Sequence, residues 1–180
     1  MVRTRVGYAG GTTQDPTYRS IGDHSETIQI EYDPTRITYA ELLDVFWESH
    51  NPTSRPYSRQ YMSLIFYHNE EQKRLALETK EREAGARGTI YTEIVPAAEF
   101  YLAEDYHQKY RLRQTRDLMR EFEAIYPREE DFVNSTAVAR VNGYLGGHGT
   151  SAVLAAELDD LGLSPAGGER LLDIVRASGR

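Results

Sequence analysis

The sequence predicts an α+β fold, and three observations carry that prediction. Short strand-like runs recur at 2–9, 26–32, 60–67 and 89–95, the third rich in aromatic and aliphatic residues and the others alternating apolar and polar. Helical periodicity appears between them, at Tyr39–Ser49, Glu70–Ala84 and Phe100–Ala124. After the last of these only helical patterns remain. The order β-β-α-β-α-β-α followed by helices alone describes a sandwich of helices on a mixed or antiparallel sheet, with a helical C-terminal extension. The expected division is residues 1–114 for the α+β domain and 115–180 for the extension.

The elements follow in order. VRTRVGYA at 2–9 alternates as a strand and stops at Gly10-Gly11, where glycine permits a positive φ or a close backbone approach. A long polar loop holds Asp15, Pro16, Tyr18 and His24, and the chain re-enters as a strand near Glu26. Loops of this length inside a compact domain are often functional. Asp33-Pro34 is a turn, since Pro34 cannot continue a central ladder. Thr38 with Glu41 reads as a capping box opening the helix that carries Leu42, Leu43, Val45, Phe46 and Trp47. The third strand is expected over QYMSLIFY, at 60–67. Asn69 then caps a helix read as amphipathic through Leu75 and Leu77, ended by Gly85 and Gly88. A fourth strand stops at Pro96, and Phe100–Ala124 reads as one long helix. Beyond it lie a weaker helix at Asp131–Gly143, a glycine-rich joint at 146–149, and short helices at Ala152–Leu161 and Pro165–Ala177. Ser164 is the N-cap of the last, with proline at its first position.

Composition removes several classes of function. A formal charge of −7 leaves no basic excess to neutralise phosphates, so nucleic acid is not an expected partner. The arginines between Tyr110 and Arg120 read as a solvated helix face. No apolar run approaches the ~20 residues of a membrane span, and no signal-peptide pattern precedes Val6, so a cytoplasmic location is expected. The chain has no cysteine, hence no disulfide, thiolate metal site or thiol nucleophile of its own.

Among titratable groups, Glu26 stands at the start of a strand, Tyr18 in the preceding loop and Tyr61 near the start of the third strand. A carboxyl and two phenols arriving from separate segments can hold a polar oxygen and deliver a proton to it. The same residues also read as a solvated strand end and sheet-packed tyrosines with wet hydroxyls, and spacing leaves both readings open. His24 and Glu26 are spaced as two ligands on a strand face, but nothing brings further ligands to them, so no metal is expected. Gly10-Gly11 lacks the Lys-Ser/Thr of a phosphate loop, and no Gly-x-Ser-x-Gly elbow occurs.

Six stretches, taken in order, resemble the A-type peptide methionine sulfoxide reductases. They are VGYAGG at 6–11, DPTY at 15–18, HSETIQIEYDP at 24–34, ITYAELLDVFWESHNPT at 37–53, QYMSLIFY at 60–67 and FYLAEDYHQKY at 100–110. The resemblance implies a ferredoxin-like two-layer sandwich and a cofactor-free reduction of the S epimer of methionine sulfoxide, in peptides or proteins. In that chemistry a cysteine thiolate attacks the sulfoxide sulfur, while a carboxyl and two tyrosines hold and protonate the oxygen. Thioredoxin or another thiol reductant regenerates the enzyme. By motif position Glu26 is the acid and Tyr18 and Tyr61 are the phenols. His107, Tyr110 and Tyr144 match supporting, substrate-binding positions.

The departures from the family pattern are specific. The family's Gly-Cys-Phe-Trp segment, with its first strand and first helix, belongs upstream of the VGYAGG match and is not in this chain. The loop HNPTSRPYSRQY is short, with Pro56 near where an aspartate is expected. Leu145 stands where a resolving cysteine would follow Asn142-Gly143-Tyr144. Three accounts follow: an upstream segment supplying the cysteine, a cysteine-less module that binds methionine sulfoxide or oxidised protein, or an interaction protein docking through the extension.

Overall fold

Strand β1 (Arg3–Ala9) ends on three buried residues, Gly7, Tyr8 and Ala9. Its neighbour β5 (Phe100–Leu102) runs antiparallel, with Gly7 opposite Leu102 and Ala9 opposite Phe100. Glycine is required at position 7 because a Cβ there would collide with the Tyr101 carbonyl and the Phe100 ring. With β2 (Ser25–Glu31) these strands form a three-stranded sheet in the order β2-β1-β5. These features belong to a computed structural model that describes residues 2–179. The chain is mixed α/β and divides into two units, Val6–Ala103 and Glu104–Arg180 with Met1–Arg5.

In the first unit, helix α1 (Tyr39–Glu48) opens as its sequence dictates. The Thr38 hydroxyl accepts from the Glu41 amide at 3.2 Å, and Glu41 accepts from the Thr38 amide at 2.7 Å. Such a reciprocal cap contributes about 1 kcal/mol. Leu43 and Trp47 are its buried face. The expected strand at 60–67 is shorter: Arg59–Tyr61 is a turn of 3-10 helix, and β3 spans only Leu64–Tyr67. The Ser25 hydroxyl donates to the Arg59 carbonyl at 2.6 Å, which ties that turn to β2.

Helix α2 (Glu70–Arg87) is capped by Asn69 and ended by Gly88 at φ +90°, so Gly85 lies inside it. Its inner face is Ala76, Thr79 and Glu83 rather than Leu77, which is exposed. The helix carries the chain to β4 (Glu93–Pro96), parallel to β3 with Ile65 opposite Ile94. Pro96 is tolerated at the strand's last position. The core of this unit is small: Leu43, Trp47, Ile65, Ala76 and Ile90.

The expected long helix at 100–124 is instead four elements. Phe100–Leu102 pairs as β5, Asp105–His107 is a 3-10 turn, and α3 (Tyr110–Arg113) and α4 (Arg116–Ile125) follow. Lys109, at φ +53°, turns the chain into α3. The second unit continues with α5 (Glu129–Asn134), α6 (Thr136–Leu145), α7 (Ser151–Glu157) and α8 (Pro165–Ala177). Ser164 caps α8 as its sequence indicates, accepting from the Gly167 amide. Leu118, Phe122, Phe132, Val138, Leu154 and Leu171 are fully or almost fully buried in this unit's larger core. No helix among the described residues is long and apolar enough to cross a membrane.

Candidate functional site

The loop between β1 and β2 is held from inside by two neighbouring side chains. His24 is buried; its Nδ1 accepts from the Gly11 amide at 3.2 Å, and its Nε2 lies 2.8 Å from the Thr13 carbonyl. A neutral ring with the proton on Nε2 satisfies both contacts. His24 therefore has no nitrogen left for a metal. Asp23 accepts from the backbone amides and hydroxyls of Thr12 and Thr13. The Thr12 amide, followed by the Thr13 hydroxyl, holds this carboxyl well below the usual carboxylate range. Gly10, at φ +82°, lets the chain leave β1 where a Cβ would strike the Phe66 ring. Its carbonyl accepts from Arg59.

This framework sets Tyr18, Glu26 and Tyr61 in one cluster. The Tyr61 hydroxyl is hydrogen-bonded to Tyr18 and lies within the field of Glu26. The hydrogen bond to Tyr18, then partial desolvation and the nearby Tyr18 and Glu26 charges, push the Tyr61 phenol up to about 12. Glu26 accepts from Gln60 Nε2 at 2.8 Å. Tyr61 also lies against Tyr57, with ring centroids 5.1 Å apart. Tyr18, Tyr61 and Glu26 are exposed. Tyr61 takes its place from the 3-10 turn, not from a strand as expected.

Glu26 and Tyr61 open onto a cavity of about 390 Å³ that also meets Phe46, His50, Ser63 and Phe66. His50 is a part of this site that spacing did not single out. Its Nδ1 is 2.9 Å from the Phe46 carbonyl, its Nε2 is 2.8 Å from Ser63 Oγ, and Ser63 is 2.8 Å from Thr92 Oγ1. The sequence signal is only that a histidine follows the helix that forms the site's floor.

The three residues expected in supporting positions, His107, Tyr110 and Tyr144, belong to the second unit. His107 ends the 3-10 turn, half-buried beside the Tyr106 ring at 4.1 Å, with Nε2 4.0 Å from the Glu104 carboxylate. Tyr110 begins α3 and is exposed. Tyr144 is buried in α6, and its hydroxyl donates to Glu157 at 2.6 Å, the carboxylate that also pairs with Arg140. Burial raises the Tyr144 phenol above its ordinary value.

A carboxyl and two phenols thus lie together, with Glu26 and Tyr61 lining the cavity. The sequence model described as "Peptide methionine sulfoxide reductase" matches residues 1–140, and the chain belongs to that family. A peptide methionine sulfoxide reductase of Drosophila melanogaster is 46% identical over 168 residues, covering 92% of this chain and 67% of that protein. The MsrA protein of Methanosarcina acetivorans is 48% identical over 122 residues, 61% of this chain and 65% of that one. The A5 protein of Oryza sativa is 40% identical, covering 80% of this chain and 59% of the relative. The chain thus spans about two thirds or less of these relatives' length. Reduced Mxr1 from Saccharomyces cerevisiae superposes with a TM-score of 0.56 at 32% identity, covering 63% of this chain and 71% of Mxr1.

Proposed function

We propose that residues 6–103 form the oxygen-handling half of a peptide-methionine (S)-S-oxide reductase. Glu26 is the proton donor to the sulfoxide oxygen, and Tyr18 and Tyr61 are its hydrogen-bond donors. The observation that carries this reading is the Tyr18–Tyr61 hydrogen bond beside Glu26. A phenol held protonated to about 12 remains a donor throughout the neutral range. His107, Tyr110 and Tyr144 support the substrate. The fold reads as a ferredoxin-like sandwich, residues 1–114, without the family's first strand and helix, and residues 115–180 form a helical extension.

The chemistry balances with two thiols. A thiolate attacks the sulfoxide sulfur, the S–O bond breaks as the oxygen is protonated, and methionine, a disulfide and water result. This chain has no cysteine, so the attacking thiol comes from another segment. Thioredoxin or another thiol then serves as reductant, in cytoplasmic repair of oxidised protein. The missing thiol equally supports a second reading, a cysteine-less module that binds methionine sulfoxide without reducing it.

Calorimetric titration with blocked methionine (S)-sulfoxide tests the oxygen site common to both. Saturable binding, absent for the (R) epimer and for methionine and lost in Tyr61→Phe, is expected. Equal binding of methionine itself overturns the assignment. Dithiothreitol-driven turnover by the chain alone overturns the assignment of the nucleophile.

A further inference from the structure

The second unit holds an open cavity of about 580 Å³ where the start of α4 meets α8. Arg116 and Arg120 reach it from α4, Arg170 and Ile174 from α8, and Gln114 from the end of α3. All three arginines are exposed. Among the described residues the lining has one carboxylate, Asp117, and it is already engaged. It accepts from Arg170 Nε at 2.7 Å and from the Leu118 amide at 3.0 Å. That contact anchors Arg170 and leaves its terminal nitrogens without a partner among the described residues. Arg116 and Arg120 meet no side-chain partner there at all.

A solvated helix face does not account for this arrangement. On the exposed side of α2, Arg74 lies between Glu71 and Glu78 and pairs with both. Arg82, Arg113 and Arg140 likewise meet Asp44, Glu129 and Glu157. Arg116 and Arg120 instead stand four residues apart on one helix, a like-charge spacing that destabilises it. Arg116 is also the first residue of α4, where the helix dipole disfavours a cation. Leu118, Met119 and Phe122 bury the other side of α4, which prevents the helix from rotating the pair away from Arg170. Cations that break two local rules and have no internal counter-charge mark a functional site.

The charges select the ligand. Three guanidiniums against one carboxylate leave two positive charges in excess. A single carboxylate ligand would meet only half of that excess. A phosphomonoester carries about −1.5 to −2 near neutral pH and presents three strong acceptor oxygens, one for each guanidinium. A long polyanion is opposed by the chain's formal charge of −7. Ile174 and Gln114 offer an apolar and an amide contact to whatever is esterified to the phosphate.

We infer that the cavity between α4 and α8 binds a phosphomonoester dianion, with Arg116, Arg120 and the terminal nitrogens of Arg170 on its oxygens and Asp117 holding Arg170 in place. The site shares no residue with the cluster assigned to the sulfoxide oxygen, so the two stand or fall separately.

Calorimetric titration of the full chain with inorganic phosphate at neutral pH, with ionic strength held constant by sodium chloride, tests the site. Saturable binding at about 1 mM or tighter is expected, with sulfate competing and acetate failing to compete. Arg116→Gln and Arg120→Gln should each weaken phosphate at least ~10-fold. Arg120→Lys keeps the charge but loses the planar fork, and should also weaken it. Removing one of the two like charges relieves their repulsion, so the phosphate-free thermal midpoint of Arg116→Gln should stay level or rise. Phosphate that binds no better than acetate, or equally well to the Arg116→Gln/Arg120→Gln double variant or to Arg120→Lys, would overturn the site as diffuse charge attraction. A lowered midpoint in phosphate-free Arg116→Gln would overturn it by showing that the arginines serve the fold. Glycerol phosphate and a Gly-Ser peptide carrying phosphoserine then separate the sources of the ligand. Equal affinities support a small phosphorylated molecule, a tighter peptide supports a phosphorylated chain, and failure of both to displace phosphate overturns the monoester assignment.

Discussion

The Tyr61 hydroxyl is hydrogen-bonded to Tyr18, which joins two exposed phenols from separate segments into one proton-bearing pair beside Glu26. The pair sets an expectation for alkaline titration. Tyr61 is raised to about 12, above the ordinary phenol value near 10. A raised folded value means that the contact stabilises the fold fully below about 10, and that this contribution fades as pH climbs through 12. The difference in phenolate absorbance between the parent chain and Tyr61→Phe should therefore develop near 12. In Tyr18→Phe the Tyr61 transition should fall toward 10. A Tyr61 transition that ignores Tyr18 would remove the pair from the site.

His24 is the internal fastener of the loop that carries Tyr18. Replacing it with alanine leaves the Gly11 amide and Thr13 carbonyl without their buried partner and opens a void beside Tyr101, whose ring meets the His24 ring edge-on at 5.4 Å. Orphaned buried groups cost about 1–3 kcal/mol, and the lost packing adds to that. His24→Ala should destabilise the chain by roughly 2–4 kcal/mol in urea unfolding and make the 10–24 loop the first site of proteolysis. A loss below about 0.5 kcal/mol would show that the loop is held by Asp23 alone.

These cases show what could be read from the chain and what could not. The capping boxes and caps at Thr38, Asn69 and Ser164 were legible because each is a local donor–acceptor pattern. Glu26 and Tyr18 were legible as candidates, but their convergence with Tyr61 depends on a 3-10 turn anchored by Ser25, a contact distant in sequence. The 100–124 stretch reads as one helix, but Phe100–Leu102 instead pairs with β1, a partner distant in sequence that no local pattern reveals. His24 and His50 were ordinary histidines until their partners, backbone carbonyls and a serine, became visible.

Lys109 gives a pH dependence of the opposite sign. It is buried in the second unit, with Nζ donating to the Thr4 carbonyl at 2.5 Å and to Thr4 Oγ1 at 3.0 Å. Burial, assisted by the Arg5 charge, lowers it to about 8. Below that value both folded and unfolded chains hold the proton, and the folded state carries the full penalty. Between about 8 and 10 the unfolded chain binds more protons, so stability should rise with pH, by no more than about 3 kcal/mol. Urea unfolding at pH 8, 9 and 10 (each about one unit apart) should show that rise in the parent chain and a flat profile in Lys109→Met. An equal rise in the variant would assign the effect to another group.

The wall of the cavity contains a directed chain of hydroxyls, and its direction is testable. His50 Nδ1 faces the Phe46 carbonyl, which can only accept, so in the neutral ring that nitrogen carries the proton and Nε2 accepts. Ser63 must then donate to His50, and Thr92, fully buried, donates in turn to Ser63. Removing the middle hydroxyl orphans an acceptor on His50 and a donor on Thr92. Removing the outer one leaves only a second lone pair on Ser63 unused. Ser63→Ala should therefore cost about 1–3 kcal/mol, and Thr92→Val, which keeps the buried shape, roughly 1 kcal/mol or less. With the opposite polarity, Thr92→Val would strand the Ser63 proton and be the costlier change. Denaturant midpoints of the two single variants and of the double variant separate these cases. The double variant should fall close to Ser63→Ala alone, because Thr92 has nothing left to donate to once Ser63 is gone.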